Sequence, residues 1–175
     1  MVDGTRYPHP HRIFDQIVFA RSELISGEKG EDVLGDFVCG MDGRCCAMPV
    51  TTSEAAPHPE KRDGWLVLFV APENSAGAAV WRPVGWYEEA CFAGCYQRRP
   101  EPALRQDLYI VSTQAKNAYV IPKETQSSFP VIANDHFTRR WTYARSAAHS
   151  GKWRERLAKL AEEIVSRKAE CTRIG

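Results

Sequence analysis

The segment from Gly64 to Pro122 constrains the fold of this chain more than any other stretch. It opens with GWLVLFVAP, continues through WRPVGWYEEACFAGCYQ and closes within DLYIVSTQAKNAYVIPKE. Each piece is rich in β-branched and aromatic residues and is bounded by Gly, Pro, Asn or Asp, which is typical of strands separated by turns. The sequence therefore predicts three successive β-strands in this segment.

The first of these strands is apolar along its whole centre. Its two faces consist of Trp65, Val67 and Phe69 on one side and Leu66, Leu68 and Val70 on the other. A strand that is apolar on both faces is normally buried on both. We therefore expect this strand to lie centrally in a sheet.

Two patterns precede the central strands. Asp42-Gly43 separates the apolar runs LGDFVCG and RCCAMPVTT, and Gly tolerates the positive φ of a tight turn, so a β-hairpin is predicted there. Residues 13–25 are less decisive, because part of their apolar spacing suits a helix while IVFA alone suits a strand. Both interpretations stay open.

The C-terminal region predicts an amphipathic helix over residues 150–169. Its apolar residues recur along a single stripe, formed by Trp153, Leu157, Leu160, Ala161, Ile164 and Val165. Ser150 is suited to the N-cap, because its hydroxyl can accept a hydrogen bond from an otherwise unpaired backbone N–H. We expect the stripe to pack on the sheet; binding of a partner protein through the stripe is the alternative.

Length and composition indicate one domain. A chain of 175 residues with a net charge of +1 fits a single hydrophobic core. Residues 1–12 are interpreted as a flexible lead-in, and residues 13–175 as one domain that includes the helix. No apolar run approaches the roughly 20 residues of a membrane helix, and no signal core is visible at the N-terminus. A cytoplasmic location is therefore expected.

The six cysteines are expected to be reduced, because no secretion signal accompanies them. Cys45-Cys46 and Cys91-x-x-x-Cys95 could supply thiolates to zinc. Neither pair has the spacing usual for a zinc site. We therefore expect no metal and no other cofactor.

Sequence motifs for catalysis are absent. The chain has no P-loop and no G-x-G-x-x-G after a predicted strand, and it has no G-x-S-x-G elbow. His136 and His149 lie outside metal-binding patterns. A pair of Cys91 and His136 stays open as a nucleophile, because such partners meet only in space. We predict a binding module with no catalytic residues.

Basic residues are concentrated near the C-terminal helix. Between Arg139 and Lys159 there are seven basic residues and one acidic residue, and Arg98, Arg99 and Arg105 form a second basic group. Clustered cations can neutralise phosphates, and aromatic residues among them can stack on bases. The nucleic-acid-binding candidates in this region are Arg139, Arg140, Trp141, Tyr143 and Arg145.

A pocket for a flipped base would need aromatic walls and a few polar groups at its rim. Trp86 and Tyr87 are adjacent on the second predicted strand and so point to opposite faces, Trp86 with Glu88 and Tyr87 with Glu89. Only one of the two aromatic residues is therefore expected to line the pocket. Either carboxylate could accept a hydrogen bond from an exocyclic amine. Asn117 carries both a donor and an acceptor for a base edge; the alternative is that Asn117 belongs to a turn.

Several ordered segments resemble an uncharacterised bacterial domain of the PUA-like class of small barrels. They are GWLVLFVAP, Val84-Gly85-Trp86-Tyr87, Ala115-Lys116-Asn117-Ala118, Ile121-Pro122-Lys123-Glu124 and Trp141-Thr142-Tyr143. The resemblance implies a mainly β (α+β) fold, a small and partly closed barrel with the C-terminal amphipathic helix against it.

The resemblance also implies a function. PUA-like relatives such as EVE and ASCH domains bind nucleic acid, and several read modified bases in modification-dependent restriction systems. The expectation is therefore a DNA-binding reader that flips a modified base, either as a reader module by itself or together with a separate nuclease. Two alternatives stay open: an RNA-binding PUA-like protein, and a protein-interaction module that uses the helix.

Overall fold

The structure of the protein is a computed structural model. It describes residues 16–22, 24–26, 32–34, 37–40, 42–47, 62–75, 78–98, 108–133, 141–143 and 151–175. This part of the chain is mainly β, with one α-helix near its C-terminal end. None of its helices has the length and apolar character needed to cross a membrane.

The described elements follow one another along the chain as a series of strands interrupted by the helix. They are β1 (Ile17–Arg21), β2 (Leu24–Ser26), β3 (Asp32–Leu34), β4 (Arg44–Ala47), β5 (Trp65–Ser75), β6 (Ala78–Arg98), β7 (Leu108–Gln114), β8 (Ala118–Val120), β9 (Ile132–Ala133), β10 (Trp141–Tyr143), α1 (Gly151–Ser166) and β11 (Thr172–Arg173).

Nine of the described strands form one mixed sheet around the long strand β6. The main path runs β10-β1-β5-β6-β7-β4, while β8 and β9 also pair with β6, and β11 pairs with β8. Trp86 pairs with Leu68 of β5 on one edge and with Tyr119 of β8 on the other. β1 lies parallel to β5, and the other described pairings are antiparallel. β2 and β3 form a separate pair.

The described strands do not close into a barrel. The end strands β10 and β4 do not pair with each other. β6 pairs with β9, β8 and β7 at successive points along its length, so the sheet branches at β6 instead of returning to its first strand. This open sheet differs from the partly closed barrel that the resemblance implies.

The three predicted strands are confirmed as β5, β6 and β7, and β5 lies in the centre of the sheet. The middle of β5 is completely buried on both faces, as its apolar pattern predicts. Val67 and Phe69 face a first core that contains Tyr87, whereas Leu68 and Val70 face a second core that contains Trp86. Residues 17–21, where the sequence allowed either a helix or a strand, form strand β1.

The predicted helix is confirmed, with somewhat different bounds. α1 spans Gly151–Ser166, and Lys168–Glu170 form a 3-10 turn rather than further α-helix. Ser150, the predicted N-cap, lies outside the described residues. The stripe packs on the second core, with Leu157, Ala161, Ile164 and Val165 buried and with Trp153 and Leu160 partly buried against it.

A bulge in β6 reverses its alternation. Trp65 pairs with Ala90 and Val67 pairs with Tyr87, so β6 carries one extra residue there. Glu89 adopts a positive φ of 48°, as bulged positions often do. Tyr87 and Ala90 therefore face the same core. The expectation that Glu89 shares the face of Tyr87 is wrong: Glu89 is exposed and Tyr87 is buried.

The predicted turn at Asp42-Gly43 is confirmed, but a longer strand pair is not: within the described residues one antiparallel bridge closes the turn, and β4 pairs with β7. Gly43 has a φ of +73°, and Cys39 and Cys45 face each other as antiparallel bridge partners across the turn. Phe37 then enters the first core, where its ring lies 5.3 Å from that of Phe69. Gly85 makes room for Phe37, because a Cβ at Gly85 would lie 2.5 Å from the Phe37 Cζ atom.

Candidate nucleic-acid interface

Trp86 and Tyr87, the two alternatives for the aromatic wall of the pocket, are both core residues in the structure. Trp86 and Tyr87 have no exposed surface. Trp86 stacks on Tyr119 with ring centres 5.2 Å apart, and Tyr87 packs edge-on against Phe69 at 4.7 Å. Because β6 lies between two apolar layers, neither ring is open to a base. The placement of Trp86 and Tyr87 in an open pocket is therefore corrected.

Glu88 is partly exposed but already has two partners. A carboxylate oxygen lies 2.6 Å from the ammonium group of Lys168 and accepts a hydrogen bond of 3.3 Å from the Trp86 indole N–H. The Lys168 ammonium also lies 5.0 Å from the centre of the Tyr119 ring. In this structure Glu88 joins the 3-10 turn after α1 to the sheet. The carboxylate oxygen proposed to accept a hydrogen bond from an exocyclic amine is thus already in contact with Lys168 and Trp86.

Asn117 is the last residue of a 3-10 turn over Ala115–Asn117, and its side chain is partly exposed. This position agrees with the alternative that Asn117 belongs to a turn. The turn connects β7 to β8, which pairs with β6 beside Trp86. Asn117 therefore lies beside the sheet, next to a strand pair whose aromatic rings are buried.

The candidates between Arg139 and Arg145 lie mostly outside the described residues. This applies to Arg139, Arg140 and Arg145. The backbones of Trp141 and Tyr143 are described: they form β10, where Tyr143 pairs with Val18 of β1. Both aromatic residues thus belong to a strand at one end of the sheet.

The clearest basic surface of the described chain is a row along α1. Lys152, Arg156 and Lys159 are exposed and occupy positions i, i+4 and i+7, which lie on one helix face. We call these three residues the basic row. Its length is roughly 10 Å at the rise of an α-helix. Within the described chain none of the three is ion-paired with a carboxylate.

The charge order along α1 is the reverse of what helix stability favours. The first turn contains no acidic residue and the last turn no basic residue, while Glu162 and Glu163 lie in the second half of the helix. A helix dipole favours anions at its N-terminal end and cations at its C-terminal end. Like charges at i, i+4, such as Lys152 and Arg156, also repel one another. The helix dipole therefore does not account for the basic row. Arg156 does have a contact within the helix, because its guanidinium lies 5.5 Å from the centre of the Trp153 ring.

Sequence reasoning missed a second polar group, which lies where β4, β7 and β6 run side by side. Cys46, Ser112 and Cys91 lie side by side on neighbouring strands, and the Arg44 Nη2 atom donates a hydrogen bond of 2.8 Å to the Ser112 hydroxyl. The strand register that aligns them is not visible in local sequence patterns.

The Cys91 thiol is not activated as a nucleophile. Burial is the main cause that raises its pKa, and a hydrogen bond to Asp63 adds to the effect. A thiol with a raised pKa remains protonated near neutral pH and is a poor nucleophile. His136, the partner considered for Cys91, lies outside the described residues.

None of the six cysteines is in a disulfide bond. Within the described ranges, no group of three or more His, Cys, Asp or Glu side chains is placed to hold a metal ion. No protein-family model, curated protein or solved structure matches the chain. The basic row is the most distinctive surface of the described residues.

Proposed function

We propose that this protein binds nucleic acid and that the basic row of α1 contacts the phosphate backbone. The single observation that carries the proposal is the row itself: three exposed cations on one helix face, none of them ion-paired in the described chain. They lie towards the end of the helix where the dipole is positive. Such an arrangement attracts anions.

The dimensions of the row suit a phosphate backbone. Phosphates of one strand of duplex DNA follow one another at about 3.4 Å along the helix axis, so a row of roughly 10 Å faces about three of them. Each phosphate that a cation neutralises releases condensed counterions. Binding through the row is therefore expected to weaken steeply as salt rises.

The resemblance to PUA-like domains supports a narrower version of the proposal. In it the chain belongs to the PUA-like class, reads a modified base in DNA by flipping it out, and acts with a separate nuclease. Trp86 and Tyr87 could not line such a pocket without exposing the core, since both are completely buried. Trp141 is then the aromatic residue to test first.

The packing of α1 weighs against a protein-interaction module that binds its partner through the stripe. The stripe that would bind a partner is buried against the second core, including Leu157 and Ile164 at 1% and 0% exposure. A partner would have to displace the helix from the sheet. The exposed face of α1 carries the basic row instead, which favours an anionic ligand.

The proposal is tested by fluorescence anisotropy with labelled DNA and RNA duplexes of one sequence across a range of salt. We expect the double variant Lys152→Gln/Arg156→Gln to bind more weakly. Its log–log salt slope should be shallower by about 1.8, at about 0.9 for each phosphate that the variant no longer neutralises. Lys116→Gln/Lys123→Gln, which removes two exposed cations outside α1, is the matched control and should behave like the wild type.

The choice of nucleic acid separates the versions of the proposal. If the double variant weakens binding to DNA and to RNA equally, contact with the backbone alone is supported. If the wild-type protein binds methylated or hydroxymethylated DNA more tightly than unmodified DNA, a reader is supported. If the double variant and the control have the same affinity at low salt and the same salt slope, the basic row is only solvated and the proposal is wrong.

A further inference from the structure

The hairpin that precedes β4 places two cysteines directly opposite each other. Cys39 and Cys45 are antiparallel bridge partners. The turn between them is held by a hydrogen bond of 3.0 Å from the Gly43 N–H to the Gly40 carbonyl, and by another of 3.0 Å from the Gly40 N–H to the Arg44 carbonyl. The two cysteines thus lie opposite each other across a short turn closed by backbone hydrogen bonds.

The pattern of backbone bonds defines the type of pair. The bond from Gly40 to Arg44 joins the residues just inside Cys39 and Cys45, which makes the cysteines a non-hydrogen-bonded pair. In such pairs the Cα atoms lie about 4.5 Å apart, the closer of the two antiparallel spacings. Opposed side chains also project to the same face. This separation lies within the range that a disulfide spans, about 4.4–6.8 Å.

The two thiols differ in their access to solvent. Cys39 is exposed, and its thiol donates a weak hydrogen bond of 3.3 Å to the Gly40 carbonyl. Cys45 is completely buried in the first core. A dissolved oxidant therefore reaches Cys39 directly and reaches Cys45 only through Cys39.

We propose that Cys39 and Cys45 form an oxidation site, at which a low-molecular-weight disulfide such as glutathione disulfide converts the two thiols into one disulfide. The Cys39 thiolate attacks one sulfur of glutathione disulfide and expels a glutathione thiolate, leaving a mixed disulfide on Cys39. The Cys45 sulfur then attacks the Cys39 sulfur and expels the second glutathione, which takes up the proton of Cys45. Two protein thiols are oxidised, and one glutathione disulfide is reduced to two glutathione molecules.

The disulfide would close the hairpin over the first core. Phe37, two residues before Cys39, lies against Gly85 and packs edge-on with Tyr87 at 5.5 Å between ring centres. Joining Cys39 to Cys45 ties the segment that carries Phe37 covalently to β4. Oxidation would thus hold Phe37 against β6 and resist local opening of this hairpin.

The neighbouring cysteines provide controls. Cys46 follows Cys45 directly on β4 and so projects to the opposite face, beside Ser112. Cys95 is exposed like Cys39, and its sulfur accepts a hydrogen bond from the Gln97 amide. Substitution of Cys46 or Cys95 should leave the proposed reaction unchanged.

The experiment uses the full chain, first fully reduced and then incubated with glutathione disulfide. Trypsin cleaves after Arg44, which lies between Cys39 and Cys45, so the disulfide is recognised by mass spectrometry as two joined peptides. We expect two thiols fewer than the six of the reduced protein. We also expect one linked peptide pair, in wild type and in Cys46→Ser and Cys95→Ser alike.

Variants of the pair itself distinguish this reaction from general thiol oxidation. Cys39→Ser should abolish the linked pair. In a Cys95→Ser background, which removes the other exposed thiol, Cys45→Ala should leave Cys39 as a stable mixed disulfide with glutathione. A misfolded protein would also form mixed disulfides at its other cysteines. The proposal is overturned if wild-type Cys39 stays glutathionylated without linkage to Cys45, or if it pairs with another cysteine.

Discussion

The ammonium group of Lys168 lies 2.6 Å from a carboxylate oxygen of Glu88 and joins the turn after α1 to the centre of β6. These residues are 80 positions apart in the sequence. The pair is partly exposed, with side-chain exposures of 36% and 24%. An ion pair with this exposure contributes little to stability.

A double-mutant cycle with Lys168→Met and Glu88→Gln measures this pair. Because solvent screens partly exposed ion pairs, we expect a coupling free energy of about 0.2–1 kcal/mol in urea unfolding, decreasing with added salt. Lys116→Met, which removes an exposed cation elsewhere, should show no coupling to Glu88→Gln. Coupling that is absent at low salt would mean that the contact does not persist in solution.

Substitution of Trp86 distinguishes a core residue from a pocket wall. Trp86 is completely buried and stacked on Tyr119, so Trp86→Ala should lower the free energy of unfolding by about 3–5 kcal/mol. Trp86→Phe keeps an aromatic ring in the core and should cost less. A Trp86→Ala protein with wild-type stability and altered nucleic-acid binding would restore Trp86 to the candidate site.

The contact between α1 and the sheet can be measured at Leu157. This side chain is 1% exposed and belongs to the second core. Leu157→Ala should therefore destabilise the protein by about 2–5 kcal/mol in chemical denaturation. Lys159→Ala, two positions away and exposed, should change stability little. Equal effects of the two substitutions would contradict the packing of the stripe.

Stability and binding should respond in opposite directions to Lys152→Glu. An acidic residue in the first turn interacts favourably with the helix dipole, so we expect the free energy of unfolding to rise by about 0.3–1 kcal/mol. The same change replaces a cation of the basic row and should weaken nucleic-acid binding. Thermal unfolding and anisotropy are measured on one preparation. A variant that gains stability and keeps full affinity would remove Lys152 from the interface.

The pH dependence of stability should change above pH 9 because of Cys171. Burial is the main cause that raises the pKa of this thiol from 9.0 to about 11, with a smaller contribution from Glu170. As pH rises through this window, the thiol of the unfolded chain loses its proton before that of the folded chain, so stability falls. Well below this window the thiol is neutral in both states and has no effect.

Cys171→Ala isolates this contribution. The variant should lose less stability than the wild type between pH 9 and about 11, as measured by urea unfolding at each pH. The decline that remains in the variant includes Cys91 and Tyr109, whose pKa values burial also raises. Parallel curves for wild type and variant would show that Cys171 titrates alike in both states.

Local patterns predicted the parts of this fold that depend on neighbouring residues. The alternation of Val67 and Phe69 with Leu68 and Val70 identified a strand buried on both faces. The stripe of α1 and the Asp42-Gly43 turn were visible for the same reason, because each follows from periodicity or from the conformational freedom of one glycine.

The candidate site was less predictable because it depends on register. Nothing in the residue types at Glu88-Glu89 signals the bulge, although it reverses the faces of β6 and sets which side chains reach each core. β6 is paired with a strand on each edge and covered by a core on each face, so Trp86 and Tyr87 are not open to solvent. The contacts of Lys168 with Glu88 and of Arg44 with Ser112 join distant parts of the chain, which single-sequence patterns do not reveal.

The position of β1 has a consequence for how the chain reaches its native state. Val18 pairs with Tyr143, 125 positions later, and Ile17 pairs in parallel with Leu66. Domains dominated by such distant pairings fold slowly, on the order of milliseconds to seconds. Until β5 and β10 arrive, the apolar strand IVFA is free to associate with other chains. The yield of refolding from denaturant should therefore fall as the protein concentration rises.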